Sequence, residues 1–325
     1  MTEQNLMDTR RQMPKEAMSF VLKYGAYIVG VVMFAFFSFS TNAFFTVSNI
    51  LGVLRDGAPM LVTATGMTFV LLGKRMDLSL ASNLLLSSSI GAMGMAYWGW
   101  SPVIGIVISV TAGGLIGAWN GLMIVKLNMN GWLTTLAMQL LLKGICYWIT
   151  SSKTILVSNM MGGIAKAQIA GMPIFALIAF LLVVLAQYLI TYTTFGRRLI
   201  ALGCNEQAAQ SIGVNTKRVS FLALTIAGAF AAIGGLMMML NMGEVGPTSG
   251  KGYEFVCCMC CVLGGTSLYG GKGSVLPGTL VGVLIVMFLE NGLYIMGVNP
   301  YVYGLVRGAI LFYAMFIDSI KNKSR

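Results

Sequence analysis

The strongest constraint in this sequence is a succession of apolar runs, each almost free of charge and bounded by charged residues, Gly or Pro. They cover about 24–40, 58–73, 78–97, 102–125, 131–150, 169–192, 219–241, 255–269, 275–297 and 301–317. A helix crosses an apolar layer of about 30 Å with about 20 residues at 1.5 Å each, and most of the runs have that length. Charged residues make up only 10% of the 325-residue chain, against roughly 25% in soluble domains, too few to cover a water-facing surface. The expected fold class is an all-α integral membrane protein with about ten transmembrane helices, some short or interrupted. The runs at 58–73 and 255–269 are the short ones, and each leads into a turn containing Gly and Ser.

Charge sets the expected orientation. With the N-terminus placed in the cytoplasm, fifteen of the 21 Lys and Arg fall in inner segments. Arg55, Lys153, Lys166 and Lys251 fall outside, and Lys143 and Arg307 fall within spans. Cytoplasmic loops carry the excess of Lys and Arg, so both the N- and the C-terminus are expected to be cytoplasmic. The net charge of +11 is then a topology signal and not the footprint of a nucleic-acid partner. Residues 1–325 read as a single transmembrane domain, with 1–23 a cytoplasmic tail and 193–218 a cytoplasmic loop. The first apolar run reads as a retained helix, since no small-x-small cleavage site follows it. Tyr97, Trp98 and Trp100 fall at an outer boundary, where amphipathic rings anchor a span.

Several chemistries are disfavoured. The chain has no His, and with it go the commonest general base and the commonest metal ligand. Cys257-Cys258-Met259-Cys260-Cys261 has CxxC spacings that would suit Cu(I) in a metal channel. Consecutive residues nevertheless point to several faces of one helix, and Cys packs as a small hydrophobe. Packing is the expected role, and no metal is expected. Cys146 and Cys204 carry no pairing signal. Thr266–Gly273 lacks the first Gly and the final Ser/Thr of a phosphate-binding loop, so no cofactor is expected to be bound by this chain. Gly113, Gly117 and Gly121, and the pairs Gly278/Gly282 and Gly304/Gly308, have the spacing of close helix contacts. These are intrachain contacts or a homodimer seam.

Short or Gly-interrupted segments point to a translocation path, because irregular backbone at membrane depth must border protein or a water-filled cavity. The stretches 66–79 and 248–274 are therefore expected near such a path. A charge at mid-membrane costs roughly 2.5–3.5 kcal/mol on insertion scales, and Lys143, Glu290 and Arg307 lie in spans while Asp77 borders one. Glu290 could pair with Arg307 or Lys143. Alternatively, Glu290 and Asp77 could hold ions in a self-contained secondary transporter. The candidate pathway residues are Asp77, Ser79, Thr248, Tyr253, Glu254, Thr266, Ser267, Glu290 and Asn291.

The loop Thr194–Arg218 holds a further helix signal. Asn205 is a plausible N-cap, Glu206 suits a first turn and Gly213 suits the position after a C-cap, predicting a two-turn helix near 206–212. The surrounding residues resemble the cytoplasmic coupling segment of ribose-type sugar ABC transporter permeases. The matching motifs are Gly196-Arg197-Arg198, Gly203-Cys204-Asn205-Glu206-Gln207-Ala208-Ala209, Gly213-Val214-Asn215 and Lys217-Arg218. The resemblance continues through Pro247-Thr248, Gly252-Tyr253-Glu254, Gly264-Gly265-Thr266-Ser267-Leu268, Gly270-Gly271-Lys272-Gly273-Ser274 and Asn291-Gly292-Leu293. Upstream, Gly66-Met67-Thr68 and Asp77-Leu78-Ser79 match a second family motif. Lys74-Arg75 stands where the family usually has Gly-Gly.

The resemblance implies the membrane-spanning subunit of an ATP-driven importer in a bacterial inner membrane, moving a pentose or hexose inward. A nucleoside or another small polar solute fits the same class. The implied partners are a cytoplasmic ABC ATPase that carries the ATP and Mg²⁺, a periplasmic or extracellular sugar-binding protein, a second permease in a homodimer or heterodimer, and the lipid bilayer. The implied ATPase-coupling residues are Gly196, Arg197, Arg198, Gly203, Asn205, Glu206, Ala208, Ala209, Gly213, Asn215 and Arg218.

Overall fold

The computed structural model describes residues 25, 27–158, 163 and 167–323. The expected tail 1–23, and Lys166 and Arg325 of the charge count, lie outside the described residues. The chain forms α1 (Tyr27–Ser40), α2 (Val47–Leu72), α3 (Leu80–Tyr97), α4 (Pro102–Val125) and α5 (Gly131–Thr150). Three short strands follow, β1 (Ile155–Leu156), β2 (Gln168–Ile169) and β3 (Met172–Pro173). Then come α6 (Ile174–Tyr192), α7 (Thr194–Cys204), α8 (Glu206–Ser211), α9 (Thr216–Met242) and β4 (Glu244–Val245). The chain closes with α10 (Tyr253–Leu263), a π-helical turn at Val275–Thr279, α11 (Leu280–Ile295) and α12 (Tyr301–Lys323). The strands pair antiparallel as β1 with β4, Ile155 opposite Val245, and as the β2–β3 hairpin.

Among the described residues, six helices are long and apolar enough to cross a membrane by length and composition: α4, α5, α6, α9, Val275–Ile295 and Tyr301–Ser319. Burial sorts them. The most apolar windows of α4, α5 and α6 are 22%, 28% and 28% buried and that of α12 6%, whereas that of α9 is 61% buried. Apolar helices left so open have to meet lipid or another chain. The centre is built differently, from α2, α3 and α9. Thr63, Thr65, Thr68, Ser82, Asn83, Ser87, Ser88 and Ser89 are all buried there. Most of these hydroxyls donate to a carbonyl three or four residues back, as Thr65 does to Leu61 at 2.8 Å, so a polar side chain can be buried without an open valence.

Small residues set the spacing. A Cβ on Gly117 of α4 would lie 2.3 Å from the Leu224 carbonyl of α9, and one on Gly228 of α9 would lie 2.3 Å from the Gly113 carbonyl. The Gly113-Gly117-Gly121 stripe is thus an intrachain contact of the close-packed membrane kind. Asn83 of α3 donates across it to the carbonyls of Gly113 (3.1 Å) and Gly228 (3.3 Å). Gly278 and Gly282 press on α10, whereas Gly304 and Gly308 face open space.

Several expected boundaries need correction. The short run at 58–73 is the second part of a 26-residue helix that begins at Val47, where Thr46 accepts from the Asn49 amide. Arg55 and Asp56, expected in an outer loop, lie inside α2 and neutralise each other at 2.9 Å. Pro59 inside α2 has no N–H to give the Arg55 carbonyl. Asn241 of α9 donates to that carbonyl instead, at 3.0 Å. The run at 169–192 begins with a hairpin turned by Ala170 and Gly171, both at positive φ, so its helix starts at Ile174. The run at 255–269 is an 11-residue helix, about 17 Å long at 1.5 Å per residue and too short for a layer of about 30 Å. The loop 193–218 holds two helices, because Thr193 caps an unexpected α7 by accepting from the Gly196 amide.

Candidate functional site

The predicted two-turn helix is present as α8. Asn205 accepts from the Ala208 amide at 3.0 Å, and Gly213 after the C-cap has φ +81°. Asn215 caps α9 by accepting from the Arg218 amide at 2.9 Å. Arg197, Arg198, Glu206, Ala208, Lys217 and Arg218 are exposed, while Ala209, Gly196 and Gly203 are buried. Ile212 at the end of α8 is 76% exposed, an apolar tip on an otherwise polar helix.

This segment is locked to the bundle at one junction. The Gly271 amide donates to the Leu72 carbonyl at the end of α2, at 2.9 Å. A Cβ on Gly203 would lie 1.8 Å from that carbonyl oxygen and 2.4 Å from the Gly271 nitrogen. Three chain segments therefore meet backbone to backbone: the end of α2, the end of α7 and the turn 264–274. Lys74-Arg75 sits beside them. Lys74 adopts φ +57°, a left-handed conformation that costs an L side chain about 1–2 kcal/mol. Arg75 reaches across to Glu206 at 3.3 Å, joining the α2–α3 turn to the first residue of α8.

The candidate pathway residues do not share one cavity. Asp77 and Ser79 are buried in the α2–α3 turn. The Asp77 carboxylate accepts from the Ser79 hydroxyl (2.6 Å) and amide (2.9 Å), and Asn120 of α4 donates to the Ser79 oxygen at 2.7 Å. Burial pushes the Asp77 carboxyl above its ordinary value, and hydrogen bonds from Ser79 and Asn120 oppose that. Thr266 and Ser267 lie in the turn 264–274, where the Ser267 hydroxyl and the Leu268 amide donate to Asp318 of α12 at 3.2 and 2.9 Å.

Tyr253 and Glu254 begin α10, after an irregular stretch that runs into the bundle. Gly250 packs on Leu84 and Ala81 of α3, and Tyr147 of α5 donates to the Pro247 carbonyl at 3.0 Å. A cavity of about 40 Å³ lies against this stretch, lined by Ser82, Gln139, Lys143, Lys251 and Glu254 among others. Glu254 is 6% exposed; one carboxylate oxygen accepts from Gln139 at 2.6 Å and the other has no protein partner. Thr248, on the same stretch, is exposed.

Glu290 and Asn291 lie at the far end of the bundle. Arg307 holds Glu290 in a two-point ion pair at 2.6 and 2.8 Å. Lys143 is not its partner; its ammonium lies 5.7 Å from the centre of the Tyr147 ring. Asn291 and Asn49 exchange amide hydrogen bonds at 2.8 and 2.9 Å. The partners Asn49, Asn83, Asn120 and Gln139 escape a reading by hydropathy, because a lone amide barely lowers the mean of an apolar run.

The Cys257–Cys261 run spreads its thiols over different neighbours. Cys261 donates to the Ala64 carbonyl at 3.2 Å, and Cys260 lies 3.9 Å from the Met60 sulfur. Among the described residues, no three His, Cys, Asp or Glu side chains are grouped to hold a metal ion. Single Cys257→Ala and Cys258→Ala variants are expected to keep uptake near the unmodified level. Loss of uptake at normal protein level would restore a thiol-dependent mechanism.

Open apolar helices around a polar, Gly-rich centre, with irregular chain lodged inside, are the construction of a multi-pass membrane protein. The chain belongs to the family described as the permease component of branched-chain amino acid transport systems, which it matches over residues 49–315. Permeases of this family are transport subunits and not enzymes. The chain is similar to the ribose import permease protein RbsC of Escherichia coli (strain K12), 30% identical over 94% of this chain and 96% of that protein. The RbsC protein of Bacillus subtilis (strain 168) is 34% identical over 92% of this chain and 94% of its own length. The xylose transport system permease protein XylH of E. coli (strain K12) is 28% identical over 92% of this chain and 91% of its own length. No solved structure matches.

Proposed function

We propose that the chain is the membrane-spanning subunit of an ATP-driven importer that carries a small neutral sugar, a pentose or hexose, into the cytoplasm across a bacterial inner membrane. The observation that carries this reading is the near full-length similarity to ribose and xylose permeases. It crosses the membrane about ten times, one crossing being made by α10 together with the irregular stretch before it, and both ends are cytoplasmic, an orientation that the distribution of Lys and Arg supports. It works with a second permease chain, an ATPase that binds the ATP and Mg²⁺, and a secreted sugar-binding protein.

The ATPase docks on residues 194–218. Exposed Arg197, Arg198, Asn205, Glu206, Ala208 and Arg218 offer the contact surface, while Gly196, Gly203, Ala209, Gly213 and Asn215 hold its shape. Supporting this role, the segment meets the rest of the chain at the Leu72–Gly203–Gly271 junction and through Arg75–Glu206. A push on α8 is thereby delivered to the turns at 73–79 and 264–274, next to Asp77, Ser79, Thr266 and Ser267. The path itself passes the irregular stretch at Thr248, Tyr253 and Glu254, where a buried carboxylate oxygen is left without a protein partner. Sealed vesicles carrying the permease are expected to take up D-ribose or D-xylose only with the cognate ATPase, ATP and the binding protein. Full-rate uptake by the permease alone, driven by an ion gradient, would overturn the reading.

A further inference from the structure

Glu290, Asn291 and Asn49 belong to a cleft of about 620 Å³ at the end of the bundle opposite α8, within the roughly 300–1,000 Å³ typical of small-molecule sites. The N-terminal turns of α2 supply Thr46, Ser48, Asn49 and Asp56, and the last turns of α11 supply Glu290, Asn291 and Tyr294. Tyr303 of α12 also lines it.

The lining has two properties. Its charges are matched locally, Glu290 by Arg307 at 2.6 Å and Asp56 by Arg55 at 2.9 Å, so the cleft carries no strong net field. Its remaining groups offer donors and acceptors together. In the Asn49–Asn291 pair, Asn49 spends both amide hydrogens, on Asn291 and on the Phe44 carbonyl. Asn291 spends one, on Asn49, and keeps the other free. Each amide oxygen keeps a lone pair. The Tyr303 phenol oxygen is buried with no protein partner, a state that a buried hydroxyl tolerates poorly. An ion would need an uncompensated opposite charge, and an aliphatic solute would leave these amide and phenol groups without partners. Val53, Met287 and Ile295 also line the cleft and can pack against the C–H face of a hydroxylated ring. A neutral molecule carrying several hydroxyls needs what is present, since each hydroxyl both donates and accepts.

We infer that this cleft is a receiving site for a neutral polyhydroxylated solute on the outer face, with the Asn49–Asn291 pair as its central contact and Tyr303 and Glu290 beside it. The assignment rests on the import reading above for its direction, and its chemistry follows from the lining alone. Ser48 is exposed on the rim, and the native exposed thiol, Cys204, is at the opposite end of the bundle.

The test is labelling of a Ser48→Cys variant by a membrane-impermeant maleimide added outside sealed vesicles that carry the assembled transporter. Unmodified transporter serves as background. D-ribose, D-xylose, D-glucose and L-leucine are the probes. One or more of the sugars is expected to slow labelling, about threefold at twice its dissociation constant, and L-leucine is expected to have no effect. Asn291→Leu in the same background should remove the protection while protein level stays normal. No labelling from outside, equal labelling with every probe, or protection by L-leucine would each overturn the inference. ATP-driven sugar uptake is measured on the same vesicles. Uptake without protection removes the cleft alone, and protection without ATP-driven uptake removes the import reading while the cleft stands.

Discussion

Gly203→Ala is expected to abolish ATP-driven uptake. The added carbon would lie 1.8 Å from the Leu72 carbonyl oxygen and 2.4 Å from the Gly271 nitrogen. Both obstacles are backbone and neither can swing aside, as the end of a side chain could. Relief requires parting α7 from α2 and breaking the 2.9 Å bond between Gly271 and Leu72. Overpacking costs about 1–3 kcal/mol where side chains can shift, and here the whole of that strain falls on the junction between α8 and the bundle. The measurements are membrane level by immunoblot and uptake in vesicles with ATPase and ATP. Gly304→Ala is the control, because nothing lies within 4 Å of that position, and it should behave as unmodified protein in this subunit's own packing. Unimpaired uptake by Gly203→Ala would show that the junction opens freely.

Arg307→Leu is expected to destabilise the protein far more than Glu290→Gln. Removing the guanidinium leaves a carboxylate whose side chain is 17% exposed with no counter-charge, whereas the amide of Gln can still accept from Arg307. Breaking a fully buried pair costs about 3–5 kcal/mol. The effect here should fall below that range, because 36% of the Arg307 side chain remains accessible. The double variant Glu290→Gln/Arg307→Leu should recover much of the loss, since no buried charge remains. Thermal unfolding in detergent reads the three variants, and additive losses would mean that the pair contributes no coupling. Normal uptake by Glu290→Gln at normal protein level would confine Glu290 to pairing and remove it from the path.

The helices that sequence reading places best are bounded by local chemistry. Run 102–125 coincides with α4 because Ser101 caps it and Pro102 suits a first helical position. Run 131–150 coincides with α5 because Asn130 accepts from two of its first amides. The α8 helix was legible through Asn205, Glu206 and Gly213 for the same reason. What was not legible depends on partners distant in the chain. Arg55-Asp56 followed by Gly57 and Pro59 reads as the end of an outer loop until Asn241 appears to satisfy the carbonyl that Pro59 strands. Gly196 and Gly203 read as loop residues, although they serve close contacts of a helix. Of the candidate pathway residues, Thr266 and Ser267 fall within the run 255–269 but lie in the turn after α10, while Tyr253 and Glu254, just ahead of that run, open the helix; nor can the sequence show that the candidates fall in separate places. Lys74 keeps the left-handed conformation suited to the Gly expected there, and Arg75 finds Glu206, a pairing that only the fold discloses.

The bond between Asn241 and the Arg55 carbonyl makes α2 something other than a plain rod. Below Pro59 the helix leads to Leu72 and its junction with Gly203 and Gly271; above it lie Asn49 and Asp56, which line the cleft of about 620 Å³. At this one carbonyl the hydrogen bond that α2 cannot make for itself is supplied by α9. The backbone beside Pro59 and the Asn241 end of α9 are thereby tied, and parting them would leave that carbonyl unpaired.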